Sequence, residues 1–226
     1  MTNNDYAIQK LIDEGYEFKS KQYIEEGLEL FKKGMGGFVG FFAAMLGLFV
    51  VLNYILGSYS GFITNLIQPA FIAGVLLVAN DILMNKKPDF NRFFDGFKFF
   101  LPLLLLSIVT GVLVMIGLLF LIIPGIYLSV SFSLSNMLVV FLGYDFWPAM
   151  EISRKIVSKD WWSFFKFFLI IFLINLGGIL ACGVGVIFTA PATLCMTYCA
   201  FEDIVGGAIR KYNIPETPNQ TIDENE

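Results

Sequence analysis

Few residues in this chain are of a type that does chemistry, and the set excludes more than it offers. There is no histidine, so the commonest general base, the imidazole metal ligand and the side chain that titrates near neutral pH are all missing. The three cysteines, Cys182, Cys195 and Cys199, fall in or beside apolar runs, where a thiol ordinarily serves as a small packing residue. Cys195 and Cys199 would share a helix face, but without histidine or a second cysteine pair they outline neither a zinc site nor a disulfide framework. Phosphate-binding glycine loops, HExxH pairs and GxSxG elbows are absent. The sequence therefore predicts no catalytic residue, no metal site and no cofactor, in a protein that is not an enzyme.

The polar residues that remain inside apolar runs show one regularity. Asp81, Asn136 and Asp203 each stand twelve residues beyond a proline, Pro69, Pro124 and Pro191, with Asn80, Ser135 and Glu202 one position earlier. On a helix that separation is ~18 Å. Two readings follow from it. Helices become polar as they leave a membrane, which alone accounts for the pattern. Alternatively, three equivalent helices converge and form a ring of polar side chains facing protein or water. Asn53, Asn65, Gln68, Thr110 and Asn175 are single polar groups, and Ser129, Ser131, Ser133 and Ser135 alternate in a way that scatters them around a helix.

The elements that carry these residues are hydrophobic. Of 226 residues, 57% are hydrophobic and 15% charged, against about 25% charged in soluble domains, and the mean hydropathy is +0.72. The stretch 99–143 has no charged residue and turns at Pro124-Gly125, so each arm is long enough to cross a hydrocarbon core, which takes about 20 residues as a helix. The same plan recurs before and after it. The expected fold is all-α, a polytopic membrane protein of six transmembrane helices in three repeated hairpins at about 38–84, 99–143 and 164–205. Residues 1–35 form an amphipathic cytoplasmic segment, 36–207 the membrane domain and 208–226 a disordered cytoplasmic tail. A net charge of −4 argues against a nucleic-acid partner.

Charge sets the topology. Lysine and arginine number five before the first span, four between the second and third, four between the fourth and fifth, and two after the sixth, while the other three connections have none. The positive-inside rule places both termini in the cytoplasm of a cell whose inner membrane holds the chain. Hairpin turns are expected at Pro69, Pro124-Gly125 and Pro191, and Phe97-Lys98-Phe99-Phe100 recurs literally as Phe165-Lys166-Phe167-Phe168, an internal repeat. All three tryptophans, Trp147, Trp161 and Trp162, lie with Arg154, Lys155 and Lys159 in one stretch. It reads as a single surface-lying helix over 147–163 in contact with lipid headgroups.

The segment PGIYLSVSFSLSNMLVV, followed by FWPAMEISRKIVSKDWWSFF, resembles a group of uncharacterised bacterial integral membrane proteins. That group is similar to the membrane domain associated with some glycerophosphodiester phosphodiesterases. YIEEGLELFKKGMGGFVGFF resembles the same group's first repeat, and the likeness covers most of residues 20–206. It implies a six-span fold and brings no catalytic residues. No soluble phosphodiesterase domain lies within these residues, so that activity is not expected. Two functions remain: a scaffold or partner-binding envelope component, or a passive or weakly coupled transporter or channel for a small or lipid-like solute. The expected partners are membrane lipids and a membrane protein or a second copy of the chain.

Overall fold

A computed structural model describes residues 3–212 except 88, 121 and 182. All regular structure among them is helical: α1 (Asn3–Glu14), α2 (Ser20–Lys33), α3 (Met35–Leu56), α4 (Ser60–Leu83), α5 (Phe100–Phe120), α6 (Ile122–Ser131), α7 (Ser135–Leu142), α8 (Phe146–Lys159), α9 (Trp161–Leu180), α10 (Val186–Phe201) and α11 (Gly207–Tyr212). Six helical runs are long and apolar enough to cross a membrane, and the protein is a six-span, all-α membrane protein.

The six spans fall into two classes. In α3, α5 and α9 only 11–17% of the apolar window is buried, whereas in α4, α6–α7 and α10 it is 50–67%. The second set forms the centre: α4 packs on α10 and α7, and Phe141 of α7 meets Tyr198 and Phe201 of α10. Composition explains the division. α10 runs Thr189-Ala-Pro-Ala-Thr-Leu-Cys-Met-Thr-Tyr-Cys-Ala200, small residues that let helices approach in lipid, where no hydrophobic force drives them together. α3 and α9 offer Leu, Ile, Val and Phe to the surroundings.

Three further segments lie across these central helices: α2 on α10, the 3-10 segment Phe90–Phe99 on α4, and α8 on α6 and α7. Each touches at one small residue. A Cβ on Gly27 of α2 would stand 2.4 Å from Met196 Cα, and one on Gly96 would stand 2.0 Å from Ala70 O. In α8 the place is taken by Ser153, whose Oγ donates to Ser131 O (2.7 Å) and accepts from Leu134 N (3.2 Å). That hydroxyl enters the backbone ladder where α6 ends and α7 begins, which is why the expected single fourth span is interrupted at 132–134.

Three other expectations change. Pro69 and Pro191 are not at hairpin turns but inside α4 and α10; a transmembrane helix tolerates the missing N–H when neighbouring groups stand in. Only Pro124 and Gly125 mark a turn, in the first turn of α6, and Gly125 packs on Gly117 of α5. The helix expected over 147–163 is two. α8 ends at Lys159, and Asp160 Oδ1 accepts from Ser163 N (3.3 Å), capping α9 so that Trp161 and Trp162 open the fifth span. Finally, residues 208–212 belong to α11, with Ala208 buried and α1 packed alongside; residues 213–226 of the expected tail lie outside the described ones.

The close approach of Phe90–Phe99 to α4 is testable. A Cβ on Gly74 would stand 1.8 Å from Phe93 O, whereas one on Gly40 of α3 meets nothing within 4 Å. Gly74→Ala should therefore lower stability by about 1–3 kcal/mol or more, read by thermal melting in detergent. Gly40→Ala should leave it unchanged or raise it by up to ~1 kcal/mol.

Candidate functional site

The polar level expected at Asp81, Asn136 and Asp203 resolves into separate ties. Asp81, at the end of α4, accepts from Arg92 Nε at 2.9 Å and faces Lys86 Nζ at 3.8 Å. Arg92 also donates to Asp95, which is paired with Lys98. Asp203 accepts from the Tyr23 hydroxyl at 2.8 Å and faces Lys19 at 3.7 Å. Burial pushes the Tyr23 phenol up from its ordinary value, so it stays protonated and remains a donor. Glu202, in the π turn that follows α10, pairs with Arg210. The Tyr198 hydroxyl donates to Asn80 Oδ1 at 2.7 Å, the one bond here that joins two central helices directly.

Among the described residues, no hydrogen bond or ion pair joins Asp81, Asn136 and Asp203 to one another. The two acids hold surface segments onto their own helices. Ser135 and Asn136 belong elsewhere, in a cleft.

That cleft, about 570 Å³, lies between α4, α5 and α6–α7. Along α5 it runs from Leu104 to Val114, ~15 Å at helical rise, centred on the middle of the span. Its polar lining is Asn65, Gln68, Ser107, Thr110, Ser129, Ser135 and Asn136, with no charged residue. Ser107 and Ser129 donate to carbonyls of their own helices, so these two have only acceptor capacity left, whereas Asn65 Nδ2 donates to Gly61 O and keeps a second N–H and its side-chain carbonyl. Pro69 has no N–H to give, which leaves the Asn65 backbone carbonyl without its helical partner. Four buried hydroxyls among the described residues have no partner: Thr110, Ser133, Ser135 and Thr189. Thr110 and Ser135 line this cleft, and Ser135 is only 1% exposed. A buried hydroxyl left unpaired costs about 1–3 kcal/mol, and two of these four belong to residues that line this cleft.

A second cleft, about 450 Å³, lies between α3, α4, α9 and α10. It is walled by aromatic and aliphatic side chains such as Phe41, Met45, Phe49 and Phe71. Of its four polar lining residues, Asn175 Nδ2 donates to Thr193 Oγ1 at 3.0 Å, Thr64 donates to Ser60 O, and Gln68 is shared with the first cleft.

The remaining anticipated residues lie on the outside. Trp147 and Trp162 are exposed, as are Arg154 and Lys159, and Lys155 pairs with Glu151 at 2.8 Å. Trp161 turns inward, stacking on Tyr127 and donating to its carbonyl at 3.4 Å. Among the described residues no group of three histidine, cysteine or acidic side chains is placed to hold a metal. Sequence reasoning recorded Asn65, Gln68 and Thr110 as isolated polar groups and missed that they share a cleft. The available signal was their spacing: Asn65, Gln68 and Pro69 sit on one face of α4, as Ser107, Thr110 and Gly111 do on α5. No family model, no curated protein and no solved structure matches the chain.

Double-mutant cycles on stability separate local ties from a shared acidic site. Asp81→Asn with Arg92→Gln should show a coupling of about 0.5–3 kcal/mol, whereas Asp81→Asn with Asp203→Asn should be additive within ~0.5 kcal/mol.

Proposed function

We propose that this chain is a non-catalytic protein of the cytoplasmic membrane that takes up a neutral, lipid-like amphiphile in the cleft of α4, α5, α6 and α7. The observation that carries the reading is that cleft's lining: several hydrogen-bonding groups, no charge, and the unpartnered hydroxyls of Ser135 and Thr110. An ionised ligand would find no counter-charge there, and leaving a charge unpaired at mid-membrane is costly. A purely apolar one would leave the hydroxyls unsatisfied. Passive movement of such a molecule, or its retention, fits this lining better than scaffolding does. Scaffolding keeps one observation on its side, the exposed cytoplasmic face of Trp147, Trp162, Arg154 and Lys159.

The architecture belonging to this reading is a threefold repeat of surface segment, outgoing span and returning span. The spacing of buried residues supports it: Tyr23, Gly27, Leu30 and Phe31 in α2 match Ala149, Ser153, Ile156 and Val157 in α8. The buried pairs that follow are Phe38 and Phe41, Leu103 and Leu106, and Phe164 and Phe167. In this register Pro69 and Pro191 correspond and Pro124 does not, because the small residues at 27, 96 and 153 meet Met196, Gly74 and Ser131, which stand five, five and seven residues beyond those prolines. The surface segments lie at the cytoplasmic headgroups, both termini are cytoplasmic, and the chain stands with the six-span bacterial membrane proteins it resembles.

Two measurements test this. Reporter fusions at Gly61, Gly125 and Gly183 should read outside, and fusions at Asn85, Lys159 and the C-terminus inside; a cytoplasmic reading at Gly61 or Gly183 would overturn the topology. The protein purified in mild detergent should retain a neutral amphiphile, detected by mass spectrometry of its organic extract. Ser135→Val combined with Asn136→Leu should lower that retention about tenfold or more without lowering the melting temperature. Retention no higher than in an unrelated six-span protein, or a stoichiometric protein partner in place of a lipid, would overturn the reading.

A further inference from the structure

Resting on that reading, we infer that the two clefts form one site for a two-limbed neutral acyl lipid of the mono- or diacylglycerol class. The hydroxylated head and ester lie in the polar cleft, an acyl chain lies in the aromatic cleft, and Gln68 holds the junction.

The geometry begins with α4. The aromatic cleft uses its face at Thr64, Ile67, Gln68, Phe71, Ile72 and Val75, and the polar cleft uses Asn65, Gln68, Pro69 and Ile72. Gln68 and Ile72 are common to both clefts and stand one helical turn apart, so they form the ridge where the clefts meet. Gln68 makes no hydrogen bond among the described residues, and its amide both donates and accepts. It can therefore serve a polar linkage that crosses the ridge.

The two clefts differ in the chemistry they satisfy. The polar one offers donors and acceptors together at Asn136, Thr110, Ser135 and Asn65, and acceptors alone at Ser107 and Ser129. Hydroxyl groups, which give and take one bond each, suit that mixture; a carboxylate or phosphate does not, since no cation lines the cleft. The aromatic cleft has its Asn175–Thr193 pair already spent on itself, so it presents almost only apolar surface. Along α3 it extends from Phe41 to Leu52, ~16 Å at helical rise. That is about half of the ~30 Å hydrocarbon core, the depth one acyl chain fills in one leaflet. Each cleft lies within the ~300–1,000 Å³ of ordinary ligand sites, and each suits one limb.

The test uses a diacylglycerol carrying a photoactivatable diazirine at the end of one acyl chain, in phosphatidylcholine vesicles holding the full protein. Crosslinks mapped by peptide mass spectrometry should fall on Met45, Phe49 or Leu194 of the aromatic cleft. Unlabelled diacylglycerol should compete, and phosphatidic acid with the same chains should not. Gln68→Leu should reduce the crosslinking about fivefold, the worth of one hydrogen bond, and Gln68→Asn should restore part of it, with both variants melting like the parent protein. Competition by phosphatidic acid as effective as by diacylglycerol would overturn the proposal, because chain alone would then be recognised. Crosslinks confined to the polar cleft and sensitive to Ser135→Val would overturn the two-limbed site while leaving uptake of an amphiphile intact. Crosslinks scattered over exposed residues such as Leu119 and Phe172, indifferent to every variant, would overturn both.

Discussion

Hydrocarbon supplies no hydrogen bonds, so each break in a transmembrane backbone ladder must be answered by the protein itself. The chain breaks its ladders in its central helices: at 132–134, at Pro69, at Pro191 and in the π turn Glu202–Gly206. The answer at 132–134 is the Ser153 hydroxyl, which occupies both an orphaned carbonyl and an orphaned N–H. That single side chain fixes where α8 lies, and with it the start of α9. At Pro69 the freed carbonyl belongs to Asn65, which lines the polar cleft. The cleft therefore coincides with a place where the helix has surrendered one of its own bonds and where hydroxyls on α5 and α7 stand unpaired.

Charge is kept away from this centre by pairing at one end. Asp81 with Arg92 and Lys86, Asp203 with Lys19 and Tyr23, and Glu202 with Arg210 all join a central helix to a surface segment or to its own extension. These pairs are partly exposed, and such pairs contribute modestly, at most ~1 kcal/mol each when well exposed. Their larger effect is geometric: each sets the axial position of a surface segment whose small residue must meet the central backbone. Gly27 and Gly96 tolerate no side chain at that contact, so a slide along the helix axis by one turn would place Tyr23 or Phe31, Phe93 or Phe99, against backbone. Ion pairs and close contacts thus enforce the same register.

Much of this fold was legible in the sequence because apolar length and charge distribution are read directly by a bilayer. Six apolar runs separated by stretches with and without lysine and arginine admit few other arrangements. The division into central and peripheral helices was less legible, because all six runs are apolar enough to span and the two sets differ only in degree: mean hydropathy is 2.1–2.8 in the runs of α3, α5 and α9 and 1.2–1.8 in the central three. The signal was residue size, Ala, Thr and Cys in α10 against Leu, Ile and Phe in α9. The proline spacing misled for a related reason. Pro124 opens a helix where its missing N–H costs nothing, whereas Pro69 and Pro191 sit within helices, so three identical residues answer different local demands. Counting twelve residues from each joined Asn136 to two acids with which it forms no bond.

The distribution of contacts also bears on how a molecule would reach the clefts. At one end every central helix is gripped by α2, Phe90–Phe99 or α8, and aromatic packing such as Phe41 on Phe93 at 4.3 Å adds to the grip. At the opposite end the hairpins project with little beside them: Tyr54 is 92% exposed, Phe120 81% and Leu180 77%. Local opening is easiest where buried contacts are fewest. Helices α3, α5 and α9 can therefore part from the central three at their far ends while the gripped ends remain tied. The clefts lie along these seams, between α3 and α4 and between α5 and α6, so they open sideways toward the leaflet at the hairpin ends. On the proposed reading a neutral amphiphile enters there head inward without crossing the tied face, and Ser135 and Asn136, on the side of that face, are the last groups it meets.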